Sequence, residues 1–328
     1  MNIQTLLVYF PMEPDIQKQI TAALPETEVI FCDGNPTVLK QTIGRADVIF
    51  GNVPFDLLPE AVNLKWLHLA SAGTDGFKKL MTQGVLLSNG SGAYNDTIAE
   101  FMLGLTSALC LGLPRYGKNQ QEHVWQWSGW TRYIMDSTIA ILGCGQIGCG
   151  YARRVKALGA HTLGVRRSAG PAPEGVDEIF TTDQLSEVLP RADIVAMVMP
   201  NTPETKGIMN AARFAEMKNG AMLINVGRGN AVVPEDLYDA LTGGKLSGAA
   251  IDVAYQEPLP ADSKLWDAPN LIITPHVAGG WNLQSMTAPP AMQQRITNVF
   301  LDNLSDYLAG RPLRNTVDQA TGYTKTKH

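Results

Sequence analysis

Residues 139–148, Ile-Ala-Ile-Leu-Gly-Cys-Gly-Gln-Ile-Gly, constrain the fold more than any other stretch, because an apolar β-type run passes straight into a Gly-x-Gly-x-x-Gly turn. An amphipathic helical segment follows. In a strand, turn and helix of this form, Gly143 permits the tight turn, Gly145 lets backbone approach a pyrophosphate, and Gly148 lets the helix pack on the sheet. With Gln146 and Ile147 they make a candidate dinucleotide loop, the anion facing unpaired N–H groups at the helix N-terminus. A glycine-rich turn without a ligand is the alternative, and the flanking strand and helix weigh against it. After Leu158-Gly159 a second apolar run, residues 161–165, completes a βαβ unit. The expectation is an α/β fold built on a doubly wound parallel sheet.

The end of that second strand carries the choice of cofactor. An acid about 20 positions beyond the glycines would bond the ribose 2′-hydroxyl of NAD. This chain has Arg166-Arg167-Ser168 instead. Two guanidiniums and a hydroxyl suit a 2′-phosphate through charge-assisted bonds, so NADP(H) is preferred and NAD(H) remains possible. A solvated basic turn is the competing reading.

A chain of 328 residues is long enough for two domains with separate cores. Its 45% hydrophobic and 17% charged residues are globular values. The net charge of −5 supplies no basic field for nucleic acid, which turns the reading toward small-molecule chemistry. Cys32, Cys110, Cys144 and Cys149 show neither metal-ligand spacing nor a disulfide framework, so no metal is expected and a reducing, cytoplasmic setting is. The N-terminal run is stopped by Pro11 and lacks the basic start of a signal peptide. No apolar stretch reaches membrane-spanning length.

Residues 1 to about 95 alternate β-type runs (Ile3–Tyr9, Glu28–Phe31, Val48–Phe50, Leu67–Leu69, Val85–Leu87) with helical ones (Ile16–Leu24, Thr37–Thr42, Phe77–Met81). That pattern predicts a small parallel α/β domain. A dense apolar helix is expected from about Thr97 to Leu111, between the domains. Six strands are predicted near 138–142, 161–165, 193–198, 221–226, 247–253 and 271–274, followed by a terminal amphipathic helix over Gln293–Leu308.

Three segments lie just past the carboxyl ends of predicted strands, where doubly wound sheets hold ligands: Asn225–Gly229, Asp252–Pro260 and Thr274–Gly279. They offer Arg228, Glu257 and His276. Hydride transfer to a 2-keto acid needs a cation for the carboxylate and carbonyl, and an acid for the developing alkoxide. Arg228 fits the first role and His276 the second. Glu257 beside the imidazole would raise its pKa and fix the ring. Taken singly, each has a plainer role as a structural histidine, a loop cation or a turn acid.

At this point the chain resembles the D-isomer-specific 2-hydroxyacid dehydrogenases. The resemblance runs through Leu69–Asp75, Ile98-Ala99-Glu100, the turn at 143–148, Asn225–Gly229, Asp252-Val253, Glu257–Pro260, Thr274-Pro275-His276 and Pro312–Asn315. It implies that Arg228, Glu257 and His276 are the catalytic Arg, Glu and His. Asp252 would contact the nicotinamide carboxamide, and Pro200, Val226 and Gly227 would complete the cofactor contacts. The loop at Ser71, Ala72 and Gly73 would grip the substrate carboxylate through backbone amides. Two Rossmann-like or flavodoxin-like domains are implied, residues 1–98 plus 286–328 for substrate and 99–285 for the dinucleotide, with the C-terminal helix returning to the first. A cleft-closing hinge near 95–105 and 285, and a homodimer, are further implications. Trp66-Leu67-His68 and Leu265–Leu271 look closest to the glyoxylate/hydroxypyruvate reductase branch.

The expected activity is reduction of small 2-keto acids to (R)-2-hydroxy acids. A formate dehydrogenase is disfavoured, since those enzymes pair the histidine with Gln where this chain has Glu257. A dinucleotide-sensing, corepressor-like protein of the same fold is the alternative. Tyr94, Trp130 and Trp281 could wall a substrate pocket, but core or dimer packing is the better account of such aromatics, and they are not counted among the site residues.

Overall fold

The computed structural model describes residues 2–74, 76–77, 84–129, 131–280 and 287–318, and the chain divides into two compact units. Met1–Tyr94 with Gly280–His328 form one, Asn95–Gly279 the other.

In the first unit, strands β1 (Thr5–Val8), β2 (Glu28–Phe31), β3 (Val48–Phe50), β4 (Trp66–Leu69) and β5 (Leu86–Asn89) form a parallel sheet in the order β2-β1-β3-β4-β5. Helices α1 (Pro14–Ala22) and α2 (Pro36–Thr42) connect the first three strands. Both start with proline, which has no N–H to leave unpaired in a first turn. Asn35 caps α2, its side chain accepting from the Thr37 and Val38 N–H groups. β1, β3 and β4 are buried on both faces, as their unbroken apolar runs require. The C-terminal helix, Pro290–Leu308, returns to this unit. Its Phe300 stacks on Phe50 with ring centroids 4.1 Å apart and lies 5.5 Å from Trp66. Of the helical run expected over 77–81, only Phe77 falls among the described residues.

The second unit opens with α3 (Asn95–Cys110) and α4 (Leu113–Gln121), then β6 (Thr138–Leu142), α5 (Gln146–Ala157) and β7 (His161–Arg166). β8 (Glu178–Thr181), α6 (Leu185–Val188), β9 (Ile194–Met197), α7 (Ala211–Glu216) and β10 (Ala221–Asn225) follow, then α8 (Pro234–Thr242), β11 (Leu246–Ile251) and β12 (Leu271–Ile273). The sheet order is β12-β11-β10-β9-β6-β7-β8, and every pairing is parallel. Six strands were expected here and seven are present among the described residues. The extra one, β8, is a half-buried edge strand whose Glu-Ile-Phe-Thr sequence lacks the apolar density of its neighbours.

Alternate residues of single strands feed two separate cores. Ala140 and Leu142 of β6 enter one, with Val195, Met197 and Leu223; Ile139 and Ile141 enter the other, with Ile194, Ala196 and Ile224. Helix α3 covers the second face, where Thr106 and the Tyr151 hydroxyl of α5 meet at 2.7 Å. Parallel pairing brings all the strand C-termini to one edge of the sheet. No single described helix is long and apolar enough to cross a membrane.

Candidate active site

The β6–α5 turn has the shape of a dinucleotide cradle. Gly143 sits at φ +108°, and a Cβ there would come within 2.8 Å of the Val198 carbonyl oxygen. A Cβ on Gly148 would overlap the Gly143 carbonyl oxygen, so only glycine lets α5 come this close to the turn. Gly145 differs, since a Cβ would meet nothing within 4 Å among the described residues. It borders open space at the N-terminus of a 12-residue helix, a place suited to a pyrophosphate. Gln146 accepts a hydrogen bond from the Asn95 side chain, and Ile147 packs against the adjoining core. These residues fit the dinucleotide that the motif implies.

At the end of β7, Arg167 and Ser168 are exposed, whereas Arg166 is half-buried and donates from Nη2 to the Pro171 carbonyl at 3.0 Å. Past β9, the Pro200 carbonyl accepts from Thr205 Oγ1 at 2.6 Å. Val226 and Gly227 are buried, and a Cβ on Gly227 would lie 2.7 Å from the Met199 backbone. The glycine turn and the turn before Arg228 thus rest on the same two residues, Val198 and Met199.

Arg228, Glu257 and His276 follow β10, β11 and β12. Main-chain bonds step across these strand ends: the Asp252 N–H donates to the Asn225 carbonyl at 2.9 Å, and the His276 N–H to the Asp252 carbonyl at 2.8 Å. Buried Asn225 shapes the first loop, its Nδ2 donating to the Arg228 carbonyl at 3.0 Å and its Oδ1 accepting from the Gly227 N–H at 3.1 Å. A Cβ on Gly229 would overlap the Ala254 carbonyl, so the Arg228 turn lies against the Glu257 loop.

His276 Nδ1 lies 2.8 Å from Glu257 Oε2, and Glu257 Oε1 accepts from the Ala254 N–H at 3.0 Å. An ionised carboxylate only accepts, so Nδ1 carries the shared proton and Nε2 is left for other partners. Burial pushes the Glu257 carboxyl up, but the His276 bond and charge, the Ala254 N–H and the Arg228 charge together hold it below its ordinary value. The carboxylate is therefore ionised at neutral pH. Arg228 Nη1 donates to the Gly227 carbonyl at 2.8 Å, which anchors the guanidinium to its own turn.

Asp252 is 1% exposed and takes three hydrogen bonds, from Thr274 Oγ1 at 2.6 Å and from the Val277 and Ala278 N–H groups at 2.9 Å each. Burial raises its pKa, and those donors oppose the rise. Its carboxylate holds together the loop that carries His276, whose backbone is left-handed at φ +56°. Sequence reasoning assigned Asp252 only to the cofactor and gave Thr274 and Asn225 no role of their own. Their signal was position, polar residues beside apolar strand ends.

In the first unit, the Ser71–Gly73 loop follows β4. Asn52 fixes it, Oδ1 accepting from the Ser71 N–H at 3.1 Å and Nδ2 donating to Ser71 Oγ at 2.7 Å. The Ala72 carbonyl accepts from Asn89 and the Gly73 carbonyl from Ser71 Oγ. Among the described residues the Ala72 and Gly73 N–H groups have no partner, an arrangement able to receive an anion. Asp75 of the same motif, Trp130 and Trp281 lie outside the described residues.

The family model for the D-isomer specific 2-hydroxyacid dehydrogenase NAD-binding domain matches residues 103–278. A glycerate dehydrogenase of Methylorubrum extorquens is 30% identical over 298 residues, which span 86% of this chain and 88% of that protein. The crystal structure of a D-isomer specific 2-hydroxyacid dehydrogenase family protein from Aeromonas salmonicida superposes with a TM-score of 0.85 at 34% identity, covering 96% of this chain and 99% of the other. An NADPH-dependent glyoxylate/hydroxypyruvate reductase from Sinorhizobium meliloti, solved with NADP and sulfate, gives 0.81 at 28% identity over 98% and 100%.

Proposed function

Because this chain belongs to the D-isomer specific 2-hydroxyacid dehydrogenase family, and is thereby an NAD(P)-dependent oxidoreductase, we propose that it reduces small 2-keto acids of the glyoxylate or hydroxypyruvate type to (R)-2-hydroxy acids, with NADP(H) preferred. The observation that carries this reading is the Glu257–His276 pair, set beside the Arg228 turn on the edge that also holds the glycine cradle.

Gly143–Gly148 would hold the nicotinamide coenzyme, which when bound would supply the hydride. Arg228 binds the substrate carboxylate and carbonyl oxygen, and its positive charge favours the negative charge that builds there. His276 delivers a proton from Nε2 to that oxygen. Glu257 keeps Nδ1 the donor on the opposite side of the ring and so holds the imidazole in one orientation. Arg166, Arg167 and Ser168 supply donors for a 2′-phosphate. In the first unit, the Ala72 and Gly73 N–H groups are suited to a carboxylate. The homodimer we propose draws on exposed apolar side chains between residues 111 and 135, among them Leu113, Trp125 and Met135.

The test is steady-state oxidation of NADPH and NADH by purified protein against a panel of glyoxylate, hydroxypyruvate, pyruvate and larger 2-keto acids. Saturable turnover of a small 2-keto acid, faster with NADPH, is expected. Coenzyme binding without turnover on any member would overturn the reading in favour of a dinucleotide-sensing protein.

A further inference from the structure

The Arg166 guanidinium does not project freely from the end of β7. Its Nη2 donates to the Pro171 carbonyl at 3.0 Å, the one hydrogen bond the fork makes among the described residues. The same nitrogen packs so closely on Gly170 that a Cβ at that position would overlap it. Nε is buried and has no hydrogen-bond partner among the described residues. Gly170 itself adopts φ +156°, a conformation that L side chains rarely take. Residues 167–171 are exposed, so no core contact dictates this path. The segment curls round the guanidinium, and the absence of a side chain at 170 makes room for it.

A surface arginine normally loses considerable rotamer freedom when it clamps an anion. Here part of that ordering is in place beforehand, and most of the fork's five donors remain for a ligand. We propose that Gly170, together with the Pro171 carbonyl, is a specificity-determining element for the coenzyme: it seats Arg166 for a 2′-phosphate, and the preference for NADP(H) over NAD(H) depends on that seat. This deepens the reading of Arg166 given above and rests on it. A side chain at 170 displaces the far end of a flexible arginine, so its effect falls on the guanidinium and spares the pyrophosphate cradle.

The experiment measures dissociation constants for NADPH and NADH on the full-length protein and its Gly170→Ala, Arg166→Ala and doubly substituted variants, by fluorescence titration. Gly170→Ala should weaken NADPH by about tenfold, the scale of one charge-assisted hydrogen bond, with NADH unchanged. The double variant should bind NADPH no more weakly than Arg166→Ala, because both changes remove the same contact. Loss of NADPH preference in Arg166→Ala with wild-type behaviour in Gly170→Ala overturns the seat and leaves the 2′-phosphate reading standing. Equal weakening of both coenzymes by Gly170→Ala, or full additivity in the double variant, also overturns it. An unchanged coenzyme ratio in Arg166→Ala removes the 2′-phosphate reading, and this inference with it.

Discussion

A histidine in the left-handed region is uncommon, and His276 is held there by its neighbours. Its N–H bonds the Asp252 carbonyl, while the Asp252 carboxylate gathers Thr274, Val277 and Ala278 around it. His276→Ala should lower kcat by roughly 10²–10⁴, the range for losing a general acid, with the NADPH dissociation constant little changed. Parallel turnover and binding titrations would check that split. His68 carries a different expectation. It is fully buried on β4, with Nδ1 on Ser88 and Nε2 unpartnered among the described residues, and burial drops its pKa from 6.5 to about 3. Between those values the unfolded chain binds a proton that the folded chain refuses. Stability should therefore be unaffected above pH 6.5 and fall below it, by up to about 1.4 kcal/mol per pH unit. Urea unfolding between pH 6.5 and 5 should show that slope, and His68→Gln should flatten it. The placement of Arg228, Glu257 and His276 just past strand ends was legible, because each follows a predicted strand. The carboxylate bonds of Asp252 and the curled Arg166 were not, since both depend on backbone directions that residue types do not encode.

Strands shielded on both faces read as apolar runs, which is why β6, β9 and β10 were legible to within a residue or so. β8 escaped because an edge strand needs no such run. Helix ends were less legible than helix interiors. The last helix begins at Pro290, three residues before the start expected at Gln293, since proline in a first turn extends a helix that periodicity alone cannot detect. Where β6 meets α5, Gly148→Ala would drive a methyl into the Gly143 carbonyl, and backbone cannot step aside as a side chain can. The helix must back away from the strand. Coenzyme affinity should fall by tenfold or more, and the protein should lose about 1–3 kcal/mol of stability. Fluorescence titration and chemical denaturation of the same variant would measure both.

For the whole molecule, the family and the α/β class were legible because the motifs recur along nearly the entire chain. Association is a matter of surface, where residue types are weaker guides. Trp125 is fully exposed, and Leu111, Leu113, Val124, Trp127, Tyr133 and Met135 are exposed in the same stretch of sequence. So much apolar surface in one segment is unusual for a chain that remains single. Light scattering coupled to size exclusion should give twice 35.5 kDa, and Trp125→Lys with Leu113→Lys should shift the mass toward one chain. The links from Asn225 to Asp252 and from Asp252 to His276 bear on how such a protein can change. Side chains spaced by main-chain bonds between strand ends keep their distances while the surface around them drifts. A lineage built this way can exchange one acid for another through a few peripheral replacements, its chemistry inherited intact.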